Sequence, residues 1–220
     1  MSDKPIVIAI DGPAASGKGT LAKRIAQKYE FAHLDTGKLY RAVAYLVLAA
    51  NCEPGDKEAA LDAAERITPE LLSQPALSTA EVGKASSVVA AIGEVRAALL
   101  AYQRNFARHP PGGKRGAVLD GRDIGSVICP NATVKLFVTA RPEVRAHRRF
   151  LELKAQGSPL SENEILADIQ ERDARDSSRK DAPLIQAPGA HLLDTSDLSI
   201  EAAFAAACAI IEDQLKSGAG

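Results

Sequence analysis

One stretch constrains this chain more than any other: Gly12-Pro13-Ala14-Ala15-Ser16-Gly17-Lys18-Gly19-Thr20. It follows a short apolar run, Ile6 to Ile10, and opens an amphipathic segment marked by Leu21, Ile25 and Tyr29. The order strand, glycine-rich turn, helix is the setting in which a backbone wraps around a phosphate. The glycines let successive N–H groups point at one anion, and the helix beginning near Lys18 adds its positive dipole end. Lys18 brings a full charge to the terminal phosphates. Thr20 offers a hydroxyl to a phosphate oxygen or a magnesium ion. The expectation is a site for a nucleoside triphosphate, built from residues 12 to 20. Where Ser or Thr commonly follows the Lys directly, this chain has Gly19 and then Thr20. That form points to kinases of small nucleotides rather than to GTPases or motor ATPases.

A strand feeding such a loop implies more strands of the same kind. Apolar runs recur at Ala32–Leu34, Ala117–Leu119, Val134–Val138 and His191–Leu193, with helical periodicity between them. Leu39, Val43, Leu46 and Val47 share one face. Val144, His147 and Leu151 suggest another helix, begun after Pro142, and Ser199 reads as the cap of a last helix carrying Ile200, Phe204, Cys208 and Ile211. Strands alternating with helices predict a three-layer α/β fold: a central parallel sheet flanked by helices. Ligands of such sheets sit at the carboxyl ends of the strands, which puts Asp11, Asp35, Asp120 and Asp194 on one rim.

Two stretches break the alternation. Residues 51–100 are alanine-rich and helical, with breakers at Pro54-Gly55, Pro69 and Pro75; residues 157–188 are highly charged and edged by Gly157, Pro159, Pro183 and Pro188. The reading is one domain over 1–220, with core segments about 1–50, 101–150 and 189–220. An acceptor-binding insertion occupies about 51–100 and a mobile lid about 151–188.

Composition narrows the classes. The 220 residues carry a net charge of −1, 4% aromatics and no Trp, so neither a basic footprint nor a stacking platform for nucleic acid is expected. Cys52, Cys129 and Cys208 are odd in number and far apart, and His33, His109, His147 and His191 are scattered. Neither a disulfide framework nor a metal cluster is expected. Residues 1–5 precede too few apolar residues for a secretory leader, and no run approaches a membrane span. A cytoplasmic monomer without membrane or nucleic-acid partner is the expectation.

Phosphoryl transfer needs positive charge, a metal ion, in-line placement and exclusion of water. Arg172, Arg175 and Arg179 recur at spacings of three and four, so one helical face can carry all three, with Asp173 and Asp176 interleaved. Asp120-Gly121-Arg122-Asp123 closes the third strand: a carboxylate for a metal-bound water, a fork for a phosphate, and an acceptor for an amino group. Asp35-Thr36-Gly37 with Tyr40 and Arg41 opens a new helix beside it.

These segments, with Glu171-Arg172-Asp173-Ala174-Arg175-Asp176-Ser177-Ser178-Arg179, occur together and in order, and the set resembles bacterial cytidylate kinases over about residues 6–198. The resemblance implies transfer of the ATP γ-phosphoryl group to CMP, and to dCMP, with Mg²⁺. Residues 12–20 would hold ATP, with Arg148 near the adenine and with Thr20 and Asp120 at the metal. Arg41, Arg122 and Arg179 would hold the acceptor phosphate, Thr36 would line its site, and Arg172 and Asp176 would reach its ribose. Asp123, Ser87 and Arg96 would read cytosine, because a carboxylate, a hydroxyl and a guanidinium suit its amino group, N3 and O2. Lys18, Arg122 and Arg179 would carry catalysis. This chain departs from the family in its short, helical Ala50–Ser86 segment, where some members carry strands, and in Gly93, where Pro is frequent. A kinase of UMP, dTMP or a metabolite on the same core is the nearest rival reading. A nucleotide-dependent switch is the rival from another class, but the chain lacks an Asn-Lys-x-Asp guanine signature.

Overall fold

The computed structural model describes residues 4–155 and 157–217. Five strands form one parallel sheet: β1 (Ile6–Asp11), β2 (Ala32–Asp35), β3 (Gly116–Gly121), β4 (Val134–Thr139) and β5 (His191–Asp194), in the order β2-β3-β1-β4-β5. β1 is central, and it and β3 are apolar up to Asp11 and Asp120 near their ends, as strands covered on both faces require. One face packs Ile8, Ile10, Val118, Leu136 and Val138 against α1 (Lys18–Lys28) and α8 (Ile200–Ser217). The other packs Ala9, Leu34, Ala117 and Leu119 against Ala107 of α5 (Gly93–Arg108) and a π-helical turn, Ile124–Ile128. The three layers read from the sequence are present, and Ser199 caps α8 by accepting from Ala202 N at 3.1 Å.

A second apolar body joins α2 (Thr36–Ala49), α3 (Lys57–Glu65), α4 (Ala80–Val89) and the start of α5 around Leu39, Val43, Val47, Val82, Val89 and Val95. Residues 51–100 are helical throughout their regular elements, as read. A third, small body joins α6 (Pro142–Ala155) to α7 (Glu162–Ser178) through Ala146, Leu153, Ile165 and Ile169. Ser161 and Glu164 form a reciprocal cap that fixes where α7 begins. No single helix among the described residues is long and apolar enough to cross a membrane.

Three sequence expectations need correction. The buried face of α6 is Arg145, Ala146 and Leu153, while Leu151 and His147 are exposed. The spacing of Val144, His147 and Leu151 misplaces the face because the helix buries an arginine instead. Secondly, α7 ends at Ser178, and Arg179 is extended (φ −62°, ψ 143°), so the three arginines do not share one helical face. Thirdly, Asp11 is at the rim but is not presented to a ligand. Its two oxygens accept from Ile124 N and Gly125 N, both at 2.7 Å, and burial pushes its carboxyl up to about 6.

Candidate functional site

The loop after β1 has the backbone a phosphate cradle demands. Gly12 (φ +155°) and Gly17 (φ +86°) take conformations that L side chains avoid, and Ala15 is left-handed at φ 57°. Gly12 also lacks room: a Cβ would lie 1.9 Å from the Val138 carbonyl oxygen. Gly12→Ala is therefore expected to lower stability by more than about 2 kcal/mol, measured by thermal denaturation. Ser16 is fully buried, and its Oγ has no hydrogen-bond partner among the described residues, which suits a hydroxyl waiting on an anion.

An inner cavity of about 200 Å³ opens on one side of this loop. Six cationic side chains line it (Lys18, Arg41, Arg96, Arg122, Arg172 and Arg179) against four carboxylates, Asp35, Asp120, Asp123 and Asp176. Crowding of like charge away from water is visible in their protonation. Burial first, then Arg122, drags the Lys18 ammonium down to about 7, while its Nζ donates to the Pro13 carbonyl at 3.2 Å. Burial and Arg122 likewise bring Arg172 to about 9. Arg41 and Arg179 are lowered too, mainly by burial, then by Arg149 and by Arg96 respectively. Arg172 Nε and Arg179 Nη2 are buried without partners among the described residues. Such a wall favours a multiply charged anion.

Asp176 organises the cations. It accepts from Arg122 Nε at 2.8 Å and lies 3.6 Å from Arg179 Nη1. Burial alone would raise its carboxyl, but Arg122 and Arg172 outweigh burial and hold it below 3.8. Opposite, Asp35 and Asp120 are cross-strand neighbours in the register of β2 and β3. Burial and the Asp120 charge raise the Asp35 carboxyl. His33 Nε2 is 2.8 Å from Asp120 Oδ1, and Thr36 donates its hydroxyl to the Asp120 carbonyl at 2.8 Å. At the far end, Arg96 grips Asp123 at 2.5 Å and lies 5.3 Å over the Tyr40 ring.

On the loop's other side is a cavity of about 500 Å³, lined by Ala15 to Leu21, Arg148, Arg149, Thr195 and Ile200. Arg148 clamps Thr195 through its hydroxyl (3.0 Å) and carbonyl (2.6 Å), and Thr195 donates to Ser16 O at 3.1 Å. Thr20 faces this outer cavity and Asp120 the inner one, with Lys18 and Gly19 lining both.

Most sequence-predicted residues thus converge, but Ser87 does not join Arg96 and Asp123. It accepts from Arg175 and donates to Lys84 O, lining a separate cleft between α4 and α7. Its neighbour Ser86 lines the inner cavity instead. Periodicity could not separate two adjacent serines, since a helix turns 100° per residue and alignment fixes neither. Sequence reasoning also missed Arg149, which lines the outer cavity and the α4–α7 cleft, and His33 beside Asp120. The signal for Arg149 was its place in the run Arg145 to Arg149, with Arg148 one residue before it.

A parallel sheet with a phosphate loop after its central strand, and an arginine-rich cavity at the rim, define a P-loop phosphotransferase. The Cytidylate kinase family model matches residues 8–213. The cytidylate kinase of Rhodospirillum rubrum is 58% identical over 206 residues, covering 94% of this chain and 97% of that protein. That of Nitrobacter winogradskyi is 55% identical over 214 residues, covering 97% and 99%. This chain belongs to the cytidylate kinase family. An uncharacterized protein from Eubacterium ventriosum, solved by crystallography, shares the fold at a TM-score of 0.52 and 13% identity, covering 94% of this chain and 98% of that one.

Proposed function

We propose that the chain transfers the γ-phosphoryl group of ATP to CMP, and to dCMP, across the loop that separates the two cavities. The observation that carries this reading is the inner cavity's charge: six cations against four carboxylates, beside the phosphate loop and ending in the Arg96–Asp123 pair. ATP lies in the outer cavity with its phosphates on residues 12–20 and its adenine toward Arg148. The acceptor phosphate meets Arg41, Arg122 and Arg179. Arg172 and Asp176 meet the ribose, and Asp123 with Arg96 meets the cytosine edge, aided by Ser86 and by the Tyr40 ring. Transfer then needs little covalent work from the protein. Lys18, Arg122 and Arg179 offset charge on the moving phosphoryl group, and enclosure keeps water out.

Magnesium fits the residues present. Asp35 and Asp120 lie side by side at the rim, burial and the Asp120 charge raising the Asp35 carboxyl, next to Lys18 and Gly19. Thr20 and Asp120 would hold the ion, with Asp35 behind them, partly through water as Mg²⁺ prefers. When bound it neutralises phosphate oxygens. In this reading residues 51–100, with α3, α4 and the first half of α5, form the acceptor-binding insertion, α7 with its flanks is the lid, and the enzyme is a cytoplasmic monomer.

The reading is tested by ADP release with Mg-ATP against CMP, dCMP, UMP, dTMP and AMP. Preference for CMP and dCMP is expected, since uracil would set a carbonyl against Asp123. Asp123→Ala should raise KM for CMP by about 10- to 100-fold, leaving KM for ATP within about twofold. Equal losses for both nucleotides would remove Asp123 from base reading.

A further inference from the structure

Arg145 is the one arginine among the described residues that is buried to 3% exposure, and it lines neither cavity described above. Each of its three guanidinium nitrogens nonetheless donates a hydrogen bond, four in all. Nε donates to Ala140 O at 2.8 Å, at the end of β4. Nη1 donates to Ala14 O at 3.2 Å, in the crest of the phosphate loop, and to Asp173 Oδ1 at 3.1 Å. Nη2 donates to Asp173 Oδ2 at 2.5 Å, in the middle of α7. One planar group therefore joins the sheet, the loop and α7. Burying a full charge is costly, and a fork this completely matched is what makes it tolerable.

Position along α7 gives the contact its meaning. Asp173 follows Arg172, whose Nη1 donates to Gly83 O at 3.3 Å on α4, and precedes by three residues Asp176, which holds Arg122 and Arg179. Fixing Asp173 fixes the rotation of α7 about its axis, and so aims Arg172 and Asp176 into the inner cavity. The same guanidinium reads the Ala14 carbonyl, next to Ala15 with its left-handed backbone.

We propose that Arg145 is a positioning residue that couples the phosphate loop to α7, so that order imposed on Ala14 by the donor polyphosphate is passed to the acceptor-side residues, and the reverse. It touches no substrate and acts through Ala14 and Asp173. The inference rests on the reading that Arg172 and Asp176 serve the acceptor. Lysine cannot replace the group, because an ammonium cannot bridge one carboxylate bidentately and two carbonyls at once.

The test uses Asp173→Asn, whose side chain is 25% exposed, and Arg145→Lys. Affinity for a β,γ-imido ATP analogue is measured with and without CMP, alongside kcat and both KM values. The wild type is expected to bind the analogue about fivefold or more tightly when CMP is present, within the usual range of coupling between sites. Both variants should bind each nucleotide alone within about twofold of wild type, lose that coupling, and fall about tenfold or more in kcat. A wild type without coupling, or variants that keep it while losing only melting temperature, would overturn the proposal and leave Arg145 a structural anchor. Arg172→Ala separates the two readings: if it leaves CMP affinity unchanged, the acceptor assignment fails, whatever the coupling shows.

Discussion

Lys18→Met is expected to yield a protein that, without nucleotide, melts at a higher temperature than wild type, yet turns over about 100- to 1,000-fold more slowly. The two effects have one cause. Burial and Arg122 bring the Lys18 ammonium down to about 7 from its ordinary 10.5. A lysine lowered on folding makes the folded protein bind fewer protons than the unfolded chain between those values. Its cost to stability is therefore full below pH 7 and fades as pH rises toward 10.5. Methionine keeps the stem and removes the charge, losing only the bond to Pro13 O, which is worth about 1 kcal/mol. The gap in melting temperature should be widest at pH 6 and close by about pH 10. The loss in kcat follows from removing a cation aimed at developing charge, an effect of about 10² to 10³ at other preorganised sites. Melting curves from pH 6 to 10 and steady-state rates check both halves. An unchanged melting temperature at pH 6 would mean that the loop relieves the charge in some other way.

Asp176→Asn is the second large effect, with the opposite sign on stability. This carboxylate is 3% exposed and sits among Arg122, Arg172 and Arg179. Removing its charge leaves three buried cations facing one another, and breaking such a pairing costs about 3–5 kcal/mol. For a chain this size, that corresponds to a fall in melting temperature of roughly 6–20 °C. The pH dependence is also signed. Because the folded carboxyl titrates below its ordinary 3.8, its contribution is complete above that value and is lost as pH falls through the folded-state value. The variant should be far less stable than wild type at pH 7 and approach it under acid conditions. KM for CMP should rise as well, since Arg122 and Arg179 lose the group that spaces them. A variant as stable as wild type at neutral pH would show that the cations do not depend on Asp176.

Much of this was legible in the sequence for physical reasons. The five strands are short, apolar and bounded by turn residues, and Gly12 and Gly17 hold backbone conformations that L side chains avoid. What was not legible depended on contacts between distant segments. The buried face of α6 is centred on Arg145, whose burial makes sense only once Ala14 and Asp173 are beside it. Asp11 looks like a ligand residue in sequence and is a clamp for the Ile124 turn in space. Ser86 and Ser87 differ only by which side of α4 meets α7, which no local pattern encodes. The sequence points to Arg148, whereas Arg149, one residue on, lines both the outer cavity and the α4–α7 cleft, as Glu152 does.

The unequal size of the three apolar bodies has a thermal consequence. Among the described residues, fourteen buried apolar side chains form the α1–α8 side of the sheet and fourteen form the body of α2 to α5, but four join α6 to α7. The contacts from α7 to α4 described above are polar: Arg172 to Gly83 and Arg175 to Ser87. Heat-capacity change follows apolar surface, so melting the sheet has a steep, curved dependence on temperature. Docking α7 through guanidinium groups buries little such surface and has a shallow one. With α7 as the proposed lid, its docking is thereby insulated from heat and cold, while the sheet gives way in a single sharp transition.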